Sequence, residues 1–219
     1  MGGPHLNLIS NEGEITNMRK AFFMVLFIAC CVPAAFAQGD DYKKGEVYVG
    51  YSHSRVDTEG AFNPNNPNDT SRDGFHGVNV DAKGNLSRYF GLKADLSYHQ
   101  KSTNFTLPAN TIVNVDAKLY QLMGGVQLQD NASETKVRPF AFAVVGVGHA
   151  SADANTNGGV TANFSESETG LAAAFGGGLD LRVSDSVDFR LVKADYNPIR
   201  LDGQTTHNFR IGGGLNFRF

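Results

Sequence analysis

The residues best able to do chemistry in this 219-residue chain are histidines. His53, His76, His99, His149 and His207 all fall near the same end of the alternating segments described below. If the segments carrying His53, His76 and His207 are neighbours, three imidazoles could share a metal ion, imidazole being the commonest protein ligand for metals. The competing expectation is rings seated at a polar–apolar boundary with one edge wet. In "HAS", His149 and Ser151 would share one face of a strand, as a base–nucleophile pair requires. "DTSRDG", residues 69–74, sets Asp69, Ser71, Asp73 and Gly74 at the opening spacing of a calcium loop. Its twelfth position is Val80 rather than a bidentate glutamate, so it reads as a plain polar loop. Gly176–Gly178 and Gly212–Gly214 precede no helix and are not phosphate cradles. The expectation is therefore no enzyme, no catalytic residue and no cofactor, with His53, His76 and His207 as the remaining metal candidates.

Charged residues in regular alternation with apolar ones say more. The C-terminal stretch "HNFRIGGGLNFRF" puts Phe209, Ile211, Leu215, Phe217 and Phe219 on one parity and Asn208, Arg210, Asn216 and Arg218 on the other. That is a strand with one greasy and one wet face. Seven more segments behave alike: "GEVYVGYSHS", "FHGVNVDAKG", "FGLKADLSYHQ", "AKLYQLMGGVQLQ", "RPFAFAVVGVGH", "GLAAAFGGGLDLRV" and "VDFRLVKADY". The fifth is apolar on both parities, which leaves its facing open, and the seventh breaks phase at Val192–Lys193, the mark of a bulge. The wet face carries Glu46, Asp81, Lys93, Asp95, Asp180, Arg182, Asp188, Arg190, Arg210 and Arg218.

The links between segments alternate in length. "VDTEGAFNPNNPNDTSRDG", "KSTNFTLPANTIV", "SADANTNGGVTANFSESE" and "NPIRLDGQTTH" are long and polar, whereas "NLSRY", "DNASETK" and "SDS" are short. Long loops at one end and short turns at the other are what transmembrane barrels show. The longest apolar run, "AFFMVLFIACCV" at residues 21–32, falls short of the ~18 residues of a membrane-spanning helix. Arg19 and Lys20 before it, and Ala35-Phe36-Ala37 after it, make residues 18–37 a secretory signal peptide cleaved between Ala37 and Gln38. Residues 1–17 read as a spurious upstream extension. A lipoprotein signal at Cys30 or Cys31 is the alternative, but "FIAC" lacks the usual leucine three places earlier. Both cysteines lie in the signal, so the exported chain has no disulfide framework. A net charge of -3 offers no nucleic-acid surface.

Three features decide which face points outward. The wet face mixes opposite charges with glycine and alanine, which suits the crowded interior of an eight-stranded barrel. Aromatics gather near strand ends, with Phe90, Phe189, Phe217 and Phe219 at the short-turn end and Tyr51, Phe75, Tyr98, Tyr196 and Phe209 at the other, as at two bilayer interfaces. The apolar face runs on to Phe219, an edge that closure onto the first strand removes. The expected fold is an all-β, eight-stranded antiparallel up-and-down transmembrane β-barrel over residues 38–219, in which Arg182, Arg190, Arg210 and Arg218 each meet Glu46, Asp81, Asp95, Asp180 or Asp188.

On "YVGYSHSRV", "RYFGLKADLSY", "YQLMGGVQL", "VRPFAFAVVGVG", "VDFRLVKADY" and "FRIGGGLNFRF" the chain resembles the small outer-membrane β-barrel family, the OmpA-like and OmpX-like porin-family proteins, across residues 44–219. The resemblance implies a monomer in a Gram-negative-type outer membrane, among its lipids and lipopolysaccharide. It implies recognition by the barrel-assembly machinery through Leu215, Phe217 and Phe219. It also implies an occluded lumen and a structural or surface-interaction role, in adhesion or envelope integrity, through four long loops facing an unknown extracellular ligand. A narrow pore for small solutes is the alternative. Third stands a lipid-modifying enzyme, since "HAS" is similar to the His-x-Ser of lipid A deacylases. Position 163, where that family carries a carboxylate, is Asn, and the motif falls in the fifth strand, so a chance match is the preferred reading. No periplasmic domain follows the barrel here, so no peptidoglycan tether is implied.

Overall fold

A computed structural model describes residues 42–58, 72–107, 111–132, 135–157 and 163–219. The expected signal peptide, its alternatives and the upstream extension lie outside the described residues. Eight strands follow in order: β1 (Gly45–Asp57), β2 (Arg72–Asn85), β3 (Phe90–Leu107), β4 (Thr111–Gln129), β5 (Val137–Asn157), β6 (Asn163–Arg182), β7 (Val187–Leu201) and β8 (Gln204–Arg218). Each pairs antiparallel with its sequence neighbour, and β8 closes on β1 through pairs such as Val47↔Phe217 and Ser54↔Arg210. Gly45 and Phe219 exchange backbone hydrogen bonds of 3.0 Å in both directions. Closure leaves no unpaired edge among the described strands.

Period-two alternation decides what each strand buries. On β1 Glu46, Tyr48, Ser52 and Ser54 are buried in the lumen while Val49 and Tyr51 are exposed on the outer surface. On β3 Lys93, Asp95, Ser97 and His99 face in and Leu92 faces out. The facing of β5, open in the sequence, resolves with Arg138, Phe140, Phe142 and Val144 inside and Val145 and Val147 outside. The outer belt is thus apolar, with Leu171, Phe175, Leu191 and Ile211 each more than half exposed, far beyond the apolar patch a water-facing surface carries.

In three of the four long links the described residues are mostly strand. Strands β3 and β4 stay paired out to Leu107↔Thr111, β5 and β6 to Asn155↔Asn163, and β7 and β8 to Leu201↔Gln204. Backbone pairing needs no apolar side chain, so polarity marked the end of the greasy band rather than the end of the strand. The β7–β8 hairpin turns on two residues, Asp202 and Gly203, at φ 43 and 78, the left-handed pair that a two-residue hairpin needs and that Asp-Gly supplies.

Strand β7 carries the bulge expected at its phase break. Leu179 pairs with Val192 but Asp180 pairs with Arg190, which leaves Leu191 as an extra residue opposite Gly213. Before the bulge Asp188 and Arg190 face the lumen; after it Lys193, Asp195, Asn197 and Ile199 do. Gly178, paired with Lys193 beside this bulge, has no room for a side chain: a Cβ would stand 2.0 Å from the Val192 carbonyl oxygen and 2.6 Å from the Phe140 ring. Phe75, expected in the outer aromatic girdle, is instead 4% exposed and turned inward, because it shares parity with Asn79 and Asp81.

Candidate functional site

The lumen is built in layers. Nearest the short turns, Glu46 takes the Lys83 ammonium at 2.9 Å and the Asn216 amide at 2.9 Å. Asp188 accepts from Arg138 Nη1 at 2.5 Å and lies 3.0 Å from Arg218 Nε. In the middle layer Asp81 meets Lys93, Arg190 Nη1 at 3.1 Å and Lys193 Nζ at 2.9 Å. Asp180 receives Arg190 through two bonds, 2.7 Å from Nε and 3.1 Å from Nη2, the fork geometry that makes arginine–carboxylate pairs strong. The same guanidinium lies between the Tyr48 and Phe140 rings, 4.4 and 4.1 Å from their centroids. Above it Asp95 accepts from Lys193 at 2.6 Å, and Arg210 donates to Asp195 at 2.7 Å, to Ser97 at 3.0 Å and to Gln121 at 3.1 Å.

Seven buried cations (Lys83, Lys93, Arg138, Arg190, Lys193, Arg210, Arg218) face six buried carboxylates (Glu46, Asp81, Asp95, Asp180, Asp188, Asp195). This near balance lets every cation touch at least one anion, the condition under which buried charge is tolerable. The space bounded by Tyr48, Ser52, Asn79, Lys193, Asp195 and Arg210 has ≈ 0 Å³ for a water.

Of the residues singled out in the sequence, Glu46, Asp81, Lys93, Asp95, Asp180, Asp188, Arg190, Arg210 and Arg218 all lie in this interior. Arg182 does not join them. It sits at the rim of the turn end, where Asp185 in the β6–β7 turn lies 2.8 Å away. Lys83, Arg138, Lys193 and Asp195 belong to the interior and were not in the set. Lys83 shares the parity of Asp81, Arg138 sits on the strand whose facing was open, and Lys193 and Asp195 change face at the bulge.

The histidines take different places. His53 and His76 are cross-strand partners with ring centroids 4.8 Å apart. His207 does not reach them, because His53 pairs with Ile211, four residues along β8. It is bonded instead to the Tyr196 hydroxyl at 2.5 Å, while His76 Nδ1 is bonded to the Tyr51 hydroxyl. Among the described residues no group of three or more His, Cys, Asp or Glu is arranged to hold a metal. His99 is buried, with Nε2 3.0 Å from Ser52 Oγ. His149 Nδ1 lies 2.8 Å from Thr169 Oγ1. Asp73, at the end of the calcium-like motif, is in β2 and bonded to Thr58 and Lys101; Asp69 and Ser71 lie outside the described residues. Leu215, Phe217 and Phe219 are exposed on the outer belt, at 44, 42 and 41%.

Where the strands run beyond the polar core, the lumen opens into an apolar cup of about 340 Å³, lined among others by Phe75, Leu119, Ile199 and Leu201. The sequence signal for this cup is the alternation of Val115, Ala117 and Leu119 with Asp116 and Lys118, next to a stretch that otherwise reads as a loop.

A family model described as outer membrane protein beta-barrel domain matches residues 22–218. The crystal structure of Ail, the attachment invasion locus protein of Yersinia pestis, in complex with the heparin analogue sucrose octasulfate is similar in fold, at 18% identity and a TM-score of 0.55, covering 81% of this chain and 99% of that one. A second crystal structure of Ail gives 21% identity and a TM-score of 0.54 over 81% of this chain and 99% of that one. Neisserial surface protein A matches at 13% identity and a TM-score of 0.45, over 80% and 97% of the two chains. No curated protein matches the chain.

Proposed function

The chain belongs to the outer membrane protein beta-barrel domain family, and from that premise we propose that it is a structural and surface-interaction protein of the outer membrane, with a closed lumen and no enzymatic activity. The single observation that supports this most is the filled interior: thirteen ionisable side chains paired across it, with no water-sized space between Tyr48, Lys193 and Arg210. A solute would have to break buried ion pairs to pass. Strands β3–β8, which run on in paired polar extensions, lift a stiff surface clear of the bilayer, with the extended end outside. A closed barrel needs no partner to cover an edge, which fits a monomer. The outward row Leu215, Phe217 and Phe219 is what the assembly machinery would read before closure.

Ail carries attachment and invasion in its name and was crystallised with a sulfated sugar; only the fold is shared, and the charge here argues for a different ligand. Among the described residues of the four segments at the extended end, seven Asp or Glu (Asp57, Asp73, Asp116, Asp153, Glu166, Glu168, Asp202) stand against five Lys or Arg (Arg55, Arg72, Lys101, Lys118, Arg200), an acidic excess that disfavours a polyanion. The test of the main reading is planar-bilayer recording of the refolded protein. It should add no discrete conductance steps in 1 M KCl, whereas reproducible steps would favour the narrow-pore alternative. Expression in a Gram-negative host should leave the mass of lipid A unchanged; a shifted mass would favour the enzyme reading.

A further inference from the structure

The apolar cup at the extended end has a composition that the polar core beneath it does not explain. Beneath it, one lumen position further in than Leu119 and Ile199, lies the hydrogen-bonded layer of Gln121 and Asn197, joined at 2.8 Å, and the cup's wall includes Phe75, Leu119, Ala150, Ile199 and Leu201. A lumen that served only as a sealed plug would continue the ion pairs upward or close over with large side chains. Here β4–β6 turn small residues inward, with Ala117, Ala150, Ala152 and Ala172 on the lumen parity, and leave a cavity of about 340 Å³, within the ~300–1,000 Å³ of small-molecule sites. Water in such a cup finds few polar partners, so an alkyl group displaces it favourably.

Charge at the mouth selects the head group. Glu166 and Glu168 share the lumen parity of Ala172 on β6 and line the cup as the cross-strand partners of Ala152 and Ala150. Neither carboxylate has a hydrogen-bond or ion-pair partner among the described residues, and Asp57 adds a third carboxylate to the lining; Asp73, which Lys101 and Thr58 hold, is not part of it. Lys118 reaches the mouth from the outward parity of β4, beside Tyr120 rather than Leu119. We infer that the cup is a binding site for a small amphiphile bearing a cationic head, its alkyl portion resting on Leu119 and Ile199 and its ammonium between Glu166 and Glu168. This goes beyond the surface-protein reading and does not depend on it, since the cup stands above the polar layer of Gln121 and Asn197 whether or not the lumen conducts.

The test is isothermal titration of the protein in phospholipid nanodiscs, with empty discs subtracted, using decyltrimethylammonium and decyl sulfate as monomeric probes. The cation should bind at one site per barrel and at least tenfold more tightly than the anion. The variant Glu166→Gln/Glu168→Gln, altered only at exposed positions, should lose most of that preference. Ala150→Phe, which fills the cup, should lose binding of both probes while keeping the heat-dependent gel mobility of a folded barrel. Should Ala150→Phe not fold, the glutamine variant decides alone. Heat no greater than that of empty discs, equal affinity for both probes, or an unchanged preference in the glutamine variant would each overturn the assignment.

Discussion

A single carboxylate, Asp81, holds three cations: Lys93, Arg190 and Lys193. Removing one partner of a buried pair leaves the others desolvated and uncompensated, which costs about 3–5 kcal/mol. Asp81→Ala should therefore lower unfolding free energy by that order in urea titrations followed by gel mobility, whereas Asp185→Ala, whose Arg182 partner sits at the rim, should change it little. Outside the membrane-spanning segments, Arg88 pairs with Asp130 across the short turns at 3.0 Å. Its hydrogen bond holds the Asp130 carboxyl below the usual carboxylate range. The sign follows: the contact is present above the ordinary aspartate pKa and is lost as pH falls through the depressed one. NMR titration should place the Asp130 midpoint below that of a free aspartate, and Arg88→Ala should move it back up. Most lumen residues were legible as every second position opposite Val, Leu or Phe. Arg138 was not, because Phe140 and Phe142 share its parity and a strand apolar on both faces hides which one is wet.

Strand β7 shows why pattern and register must be read together. Leu191 is an insertion: delete it, and Arg190, Lys193 and Asp195 fall into one unbroken alternation that still faces the lumen, paired regularly with β6 and β8. A chain lacking Leu191 should therefore still show the mobility shift of a closed barrel. A chain lacking Ala194 should not, because either Lys193 or Asp195 must then face lipid. The phase break at Val192–Lys193 was visible in the sequence, and with it the inward facing of Lys193 and Asp195 was available. The Asp202–Gly203 turn was equally visible as an Asp-Gly between two alternating runs, but the polar residues around it mimicked a loop. What the pattern carried only in part was the extent of the strands past the apolar band. Strand β4 keeps Val113, Val115 and Ala117 on the lumen parity against Asn114, Asp116 and Lys118, but the ends of β5 and β6, rich in Ser, Asn and Thr, alternate weakly, and there backbone pairing distinguishes strand from loop.

At the scale of the molecule, two surfaces of opposite character follow from one alternation. The outer belt is bare hydrocarbon and the lumen is ionic, while the extended end carries an acidic excess. That excess implies weak retention on heparin–agarose, with elution below 0.15 M NaCl; retention above 0.5 M would mean that the folded surface presents its five basic residues together and would overturn the electrostatic argument. The central claim, that lipid bathes the apolar parity and the lumen parity is sealed from it, has a direct test because the chain contains no tryptophan. Phe175 and Phe142 lie at nearly the same depth, Phe175 pairing with Ala143 and Phe142 with Gly176, yet the first is 53% exposed and the second 6%. Single variants Phe175→Trp and Phe142→Trp, reconstituted in bilayers of brominated phospholipid, should differ sharply in fluorescence. Strong quenching at position 175 with little at 142 is the expected result; equal quenching at both, or quenching of 142 alone, would contradict it.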